Sequence, residues 1–165
     1  IVLIGFMGTG KTTISMELGS MYGWEVIDMD QEISKNQKMT IDEIFSKHGE
    51  AYFRELETKL LIELQSRNNL IISCGGGIVM KDCNAAEMKK NGKVVLLTAK
   101  PETIYNRIKD FDDRPLLKGR KSVEGIAELM EIRREKYESA ADMVIQTDQK
   151  SVVEICKEIK NKVQG

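Results

Sequence analysis

No charge of either sign dominates this 165-residue chain: 25 Lys and Arg stand against 26 Asp and Glu. That balance argues against a nucleic-acid surface or a polybasic membrane patch, so any anionic ligand must be held by local arginines. Long apolar runs are missing too. The longest reach about five residues, far short of a membrane span or the core of a signal peptide. Cysteine is scarce and odd in number. Cys74, Cys83 and Cys156 form no C-x-x-C pair, which points away from a zinc or disulfide framework and predicts buried free thiols in a reducing cytosol. With two prolines there is no proline-rich linker, and neither a repeat nor a low-complexity stretch divides the chain. The single histidine, His48, stands one residue before a glycine able to cap a helix, a place for helix-end stabilisation rather than catalysis. The nine methionines read as core filler. A chain of this length is one domain with room for a real core. It opens on Ile1 inside what should be the first strand, so an initiator Met and a few residues are expected upstream.

What the chain does have is a phosphate-binding loop. Gly5-Phe6-Met7-Gly8-Thr9-Gly10-Lys11-Thr12 fits G-x-x-x-x-G-K-[ST] at every fixed position. An apolar, β-branched run, Ile1-Val2-Leu3-Ile4, precedes it as a buried strand. A helical pattern follows, with Ile14, Leu18, Met21 and Tyr22 on one stripe and Gly23 as its left-handed cap. Glycines let the loop curl until backbone N–H groups, Gly8, Thr9 and Gly10 among them, point inward at the positive end of the helix. Lys11 can reach the β- and γ-phosphates, the Thr12 hydroxyl can ligate Mg²⁺, and Thr13 follows in the first turn. Such a loop binds the phosphates of a nucleotide. It does not say where the γ-phosphate goes.

Strand-like runs at 1–4, 24–28, 70–74, 93–98 and 143–147 alternate with amphipathic helical patterns, the signature of an α/β fold with a parallel sheet. Capping boxes at Thr40-x-x-Glu43 and Ser151-x-x-Glu154 open two helices, and Pro101 opens another. Two stretches break the alternation. Two or three helices between the second and third strands suggest a substrate-binding insertion over about 31–67. A charged, glycine-containing loop over about 109–122 reads as a lid, leaving a core of 1–30, 68–108 and 123–165.

Further constellations flank the loop. Asp28-Met29-Asp30 closes the second strand, where a two-residue period would set both carboxylates on one face at the ligand-binding ends of the strands. Asp28 could then hold Mg²⁺ through water and Asp30 could touch the acceptor. Gly75-Gly76-Gly77, after Cys74, leave backbone N–H groups bare for a ligand at the end of the third strand. Arg54 lies off the stripe of Phe53, Leu56, Leu60 and Leu64, with Glu50 and Glu57 at helical spacing. That spacing alone leaves a surface salt-bridge trio and a ligand contact equally open. Arg133 is more telling, because it interrupts the stripe Ile126, Leu129, Met130, Tyr137, Ala140. A buried charge there needs a carboxylate or an anionic ligand. Arg107 and Arg114 bracket the start of the lid, where an arginine could swing onto transferring phosphate.

Taken together, the Gly5–Thr12 loop, Asp28-x-Asp30, Gly49-Glu50-x-x-Phe53-Arg54, Gly75–Gly77, Arg114-Pro115-Leu116-Leu117 and Arg133-x-x-x-Tyr137 closely resemble shikimate kinase over essentially the whole chain. The resemblance implies a small monomeric, cytoplasmic P-loop kinase of the nucleoside-monophosphate-kinase type, with sheet order 2-3-1-4-5. It implies MgATP and shikimate as substrates, no nucleic-acid or membrane partner, and shikimate 3-phosphate and ADP as products, on the route to chorismate and aromatic amino acids. By position, Lys11, Asp30 and Arg114 would be catalytic, and Thr12 with Asp28 (through water) would serve the metal. Arg54 and Arg133 would clamp the shikimate carboxylate, while Gly75, Gly76 and Gly77 face its ring. Arg107 would pack on adenine, with Gln149 in the adenine loop 148–151. The nearest alternative is another small-metabolite kinase of this fold, such as a gluconate kinase. A nucleotide-dependent switch is the other, but its Asn-Lys-x-Asp motif is missing: Asn161-Lys162-Val163-Gln164 lacks the aspartate.

Overall fold

The computed structural model describes residues 1–111, 119 and 121–165. Its centre is a five-stranded parallel sheet of β1 (Val2–Ile4), β2 (Glu25–Asp28), β3 (Leu70–Ser73), β4 (Val94–Thr98) and β5 (Met143–Gln146). The order is β2-β3-β1-β4-β5, with Leu3 opposite both Ser73 and Val95, so β1 sits in the middle. Seven helices accompany it among the described residues: α1 (Lys11–Tyr22), α2 (Met29–Gln37), α3 (Ile41–Leu64), α4 (Asp82–Asn91), α5 (Pro101–Ile108), α6 (Val123–Ala140) and α7 (Val152–Gln164). The sheet and its order are those expected from the sequence and its resemblance.

Both faces of the sheet are buried, as βαβ crossovers require. The two-residue strand period sends Val2, Ile4, Ile72, Val94 and Leu96 toward α3, α4, α5 and α6. Leu3, Ile71, Val95, Leu97 and Ile145 face α1 and α7 instead. Strand ends are set by hydrogen bonding: Asp142 Oδ2 takes the Val94 N–H at 2.7 Å, where β4 begins. Both capping boxes form, with Glu43 N–H on Thr40 and Glu154 N–H on Ser151. Gly49 breaks α3 without ending it, its φ of 85° and ψ of 171° kinking the axis between two helical halves.

Several expectations need correction. Asp28 and Asp30 do not share a strand face. Asp28 caps α2 by accepting the Gln31 N–H at 3.1 Å, and Asp30 belongs to that helix's first turn. Cys83 is exposed near the start of α4, while Cys74 and Cys156 are buried. Along the second half of α3 the buried side chains are Phe53, Arg54, Glu57, Leu60, Leu61 and Leu64, a face rotated away from Leu56. That rotation brings a charged pair inside. Arg114, expected in the lid, lies outside the described residues.

Candidate active site

The P-loop joins β1 to α1. Gly10 stands at the N-cap with φ 95° and contributes no side chain to the first turn, so the helix's leading N–H groups remain available to an anion. Lys11 is almost fully buried and curls back over the loop, its Nζ donating to Gly5 O at 2.8 Å and Phe6 O at 3.0 Å. Thr9 is buried and donates its hydroxyl to Phe6 O at 2.8 Å, a brace for the loop's own shape. Thr12 and Thr13 follow on the exposed side of α1. Thr12 Oγ1 donates to Asp28 Oδ2 at 3.1 Å, linking the loop to the end of β2. Two hydroxyl and carboxylate oxygens at the mouth of a phosphate loop are a hard donor set of the kind Mg²⁺ takes, alongside waters and phosphate oxygens.

A small chamber of about 210 Å³ lies over this loop, lined by Gly8, Gly10, Lys11, Thr12 and Thr13 on one side and Asp30, Cys74, Gly75 and Gly76 on the other. It opens into a larger cleft of about 870 Å³ that adds Phe45, Phe53, Arg54, Glu57, Gly77 and Arg133. Thr12, Asp28, Asp30, Gly75 and Gly76 line both. Donor and acceptor halves therefore share a wall.

Arg54 is buried, not a surface group, and the trio with Glu50 and Glu57 that its spacing allows does form. Its Nη1 donates to Glu57 Oε2 at 2.7 Å and its Nη2 to the exposed Glu50 at 3.3 Å. Burial alone would depress the guanidinium's pKa, but the Glu57 and Glu50 carboxylates lift it above its usual value. Glu57 is wholly buried, and burial pushes its pKa up to about 7 against the pull of Arg54, with Asp30 adding to the rise and Arg133 opposing it. The glycine triplet lies against this pair. A Cβ on Gly77 would sit 2.3 Å from Arg54 Nη2, so only a bare backbone lets the guanidinium reach its place.

Arg133, as its stripe predicts, is buried on α6. It donates to Gly76 O at 3.2 Å and stands 5.8 Å from the centre of the Phe6 ring, and it forms no salt bridge among the described residues. Tyr137, one turn on, donates its hydroxyl to the same carbonyl. Burial raises the Tyr137 pKa, which keeps the phenol a donor. Two buried guanidiniums thus flank Gly75–Gly77 with a single carboxylate, Glu57, wholly buried beside them. That arrangement suits a small anionic acceptor.

At the far end of the loop, Arg107 Nη1 donates to Gly8 O at 2.9 Å and approaches Thr147 Oγ1 at 3.4 Å. Asp148 takes the Lys100 N–H and the Thr103 hydroxyl, and these bonds, with one from Gln146, lower its pKa despite partial burial. Gln149 follows in a left-handed conformation, φ 57°, on the exposed rim. The contact between Arg107 and Thr147 carries no signal in the sequence, since the two lie 40 positions apart. The sequence marks Glu57 only as a helical neighbour of Arg54, and its burial becomes visible only when β3 and α6 are folded beside it.

The family model for shikimate kinase matches residues 7–164. The chain belongs to the shikimate kinase family. A shikimate kinase from Caldanaerobacter subterraneus subsp. tengcongensis is 40% identical over 159 residues, covering 96% of this chain and 92% of that relative. One from Persephonella marina is 40% identical over 163 residues, covering 99% and 98%. Among solved structures, a shikimate kinase from Acinetobacter baumannii in complex with shikimate is similar at a TM-score of 0.94 and 34% identity, covering 99% of this chain and 91% of that one. A match spanning both halves of the cleft favours this family over the gluconate-kinase and switch alternatives. No described helix is long and apolar enough to cross a membrane.

Proposed function

We propose that the chain transfers the γ-phosphoryl group of ATP to the 3-hydroxyl of shikimate, giving ADP and shikimate 3-phosphate on the route to aromatic amino acids. The observation that carries this reading is the pair of buried guanidiniums, Arg54 and Arg133, set around Gly75–Gly77 across a shared wall from the P-loop. The two arginines hold the shikimate carboxylate, and the 75–77 backbone faces the ring hydroxyls. Gly8, Thr9, Gly10, Lys11, Thr12 and Thr13 hold the phosphates. Arg107 and Gln149 border the adenine, and Arg114 acts from the lid over about 109–122. The substrate region is about 31–67, and the rest of the single domain is scaffold.

Asp30 orients the attacking hydroxyl. It stands in the first turn of α2, at the mouth of the chamber over the P-loop. A loose phosphoryl-transfer transition state needs little base strength, so orientation is the larger part of its role. Thr12 and Asp28 would hold Mg²⁺, which when bound would neutralise charge on the phosphates. Both halves of the cleft come from one chain, which supports a monomer, and we place it in the cytoplasm. The test is ADP release measured with shikimate, with gluconate and without acceptor. Stimulation by shikimate alone is expected; turnover of gluconate with none of shikimate would overturn the reading.

A further inference from the structure

Asn84 is wholly buried on α4, outside the substrate cleft, and nothing in the phosphoryl transfer uses it. Its amide bridges two elements that do. Nδ2 donates to Ile78 O at 2.8 Å, in the 3-10 turn Ile78–Met80 that directly follows Gly77. Oδ1 accepts from Thr58 Oγ1 at 2.9 Å, on α3. Thr58 Oγ1 also lies 3.1 Å from Arg54 O, so its proton is shared between the Asn84 amide and the carbonyl of the carboxylate-binding arginine. The two partners fix the amide's orientation, since a carbonyl needs the NH₂ and a hydroxyl proton needs the oxygen.

This bridge spans the closest approach in the acceptor site. Gly77 backbone packs onto the Arg54 guanidinium so tightly that no Cβ fits, and Gly75 packs as closely on Glu57 Oε1, 2.7 Å from where its Cβ would be. On the other side the loop is tethered by Arg133 and Tyr137 at Gly76 O. Without the Asn84 bridge, α3 and the 3-10 turn keep their apolar packing, but among the described residues no other side-chain hydrogen bond bridges α3 to this turn. A site that holds a small rigid acid tolerates little of that slack.

We propose that Asn84, acting through Thr58 and Ile78, is a positioning residue that sets the spacing between Arg54 and the glycine triplet and so tunes affinity for shikimate. The inference rests on the acceptor assignment made above. It is tested by measuring the shikimate dissociation constant, the KM for ATP and the melting temperature of Asn84→Leu, Thr58→Val and Thr58→Ser beside the wild type. Asn84→Leu and Thr58→Val should weaken shikimate binding about tenfold, the size of one net hydrogen bond, with the KM for ATP moving less than about twofold. Thr58→Ser, which keeps the hydroxyl, should stay near wild type. Unchanged shikimate affinity in folded Asn84→Leu overturns the proposal, and so does an equal rise in both substrates' constants. Should Asn84→Leu not fold, the contrast between Thr58→Val and Thr58→Ser decides by the same criteria. A wild-type protein that binds ATP but not shikimate would instead overturn the acceptor assignment beneath it.

Discussion

Glu57 holds Arg54 with one carboxylate oxygen, 2.7 Å from Nη1, and buries the other, Oε1, without a hydrogen-bond partner among the described residues. Such a carboxylate is costly to charge, and burial carries its pKa from 4.5 to about 7. The cations Arg54 and Arg133 pull against that rise, the Asp30 carboxylate adds to it, and the buried Cys74 thiol lies within reach of the same charge. Between those two values the folded chain binds a proton that the unfolded chain does not. The stability this gives is fully present below 4.5 and is lost as pH rises through 7. Its size is on the order of 3 kcal/mol. Melting temperature measured from pH 5 to pH 8 should therefore fall more steeply in the wild type than in Glu57→Gln. Parallel slopes would show that Glu57 does not titrate in this range.

Gly77→Ala should separate acceptor affinity from nucleotide affinity. Gly77 has φ −101°, a conformation alanine adopts without strain, but its Cβ would meet the Arg54 guanidinium at 2.3 Å. The obstructed group is the end of a flexible side chain, so the backbone need not move. Arg54 must leave its place instead. The expected outcome is a shikimate KM raised at least about tenfold with the KM for ATP little changed, and a lowered melting temperature from loss of the buried Arg54–Glu57 pair. Loss of both affinities, or of neither, would contradict this assignment of Arg54.

Much of this site was legible before folding because its signals are local. Gly5–Thr12 carries its chemistry within eight residues, and Arg133 betrays itself by breaking the apolar stripe of its own helix. Asp30 was misplaced for a local reason too. Val26 to Asp30 satisfies a two-residue period, yet Asp28 also satisfies the rule for a helix cap, and the hydrogen bond to Gln31 N–H wins. Arg54 and Asn84 were not legible in that way. What makes each of them matter is a partner brought by another element: Gly77 lies 23 positions beyond Arg54, and Thr58 lies 26 before Asn84.

Arg133→Ala should cost on the order of 2–5 kcal/mol in shikimate binding, as for removing one partner of a desolvated charge pair. Its guanidinium also donates to Gly76 O, but Tyr137 holds that carbonyl as well, so the loop keeps one tether. The loss should therefore appear in affinity more than in melting temperature. Titration calorimetry with shikimate measures it directly, and near-normal affinity would refute the carboxylate-clamp role.

Lys11→Met tests the donor half. Lys11 Nζ props Gly5 O and Phe6 O, and Phe6 O keeps the Thr9 hydroxyl when that prop is removed. The stability cost should be about 1 kcal/mol, one net hydrogen bond. The catalytic cost should be far larger. Removing a cation aimed at charge that develops in transfer lowers kcat by about a hundred- to a thousandfold. Shikimate affinity should be spared, because the proposed assignment gives the acid to Arg54 and Arg133, which lie outside the P-loop. Turnover within tenfold of wild type, in a protein that melts normally, would remove Lys11 from the chemistry and leave it as a brace of the loop.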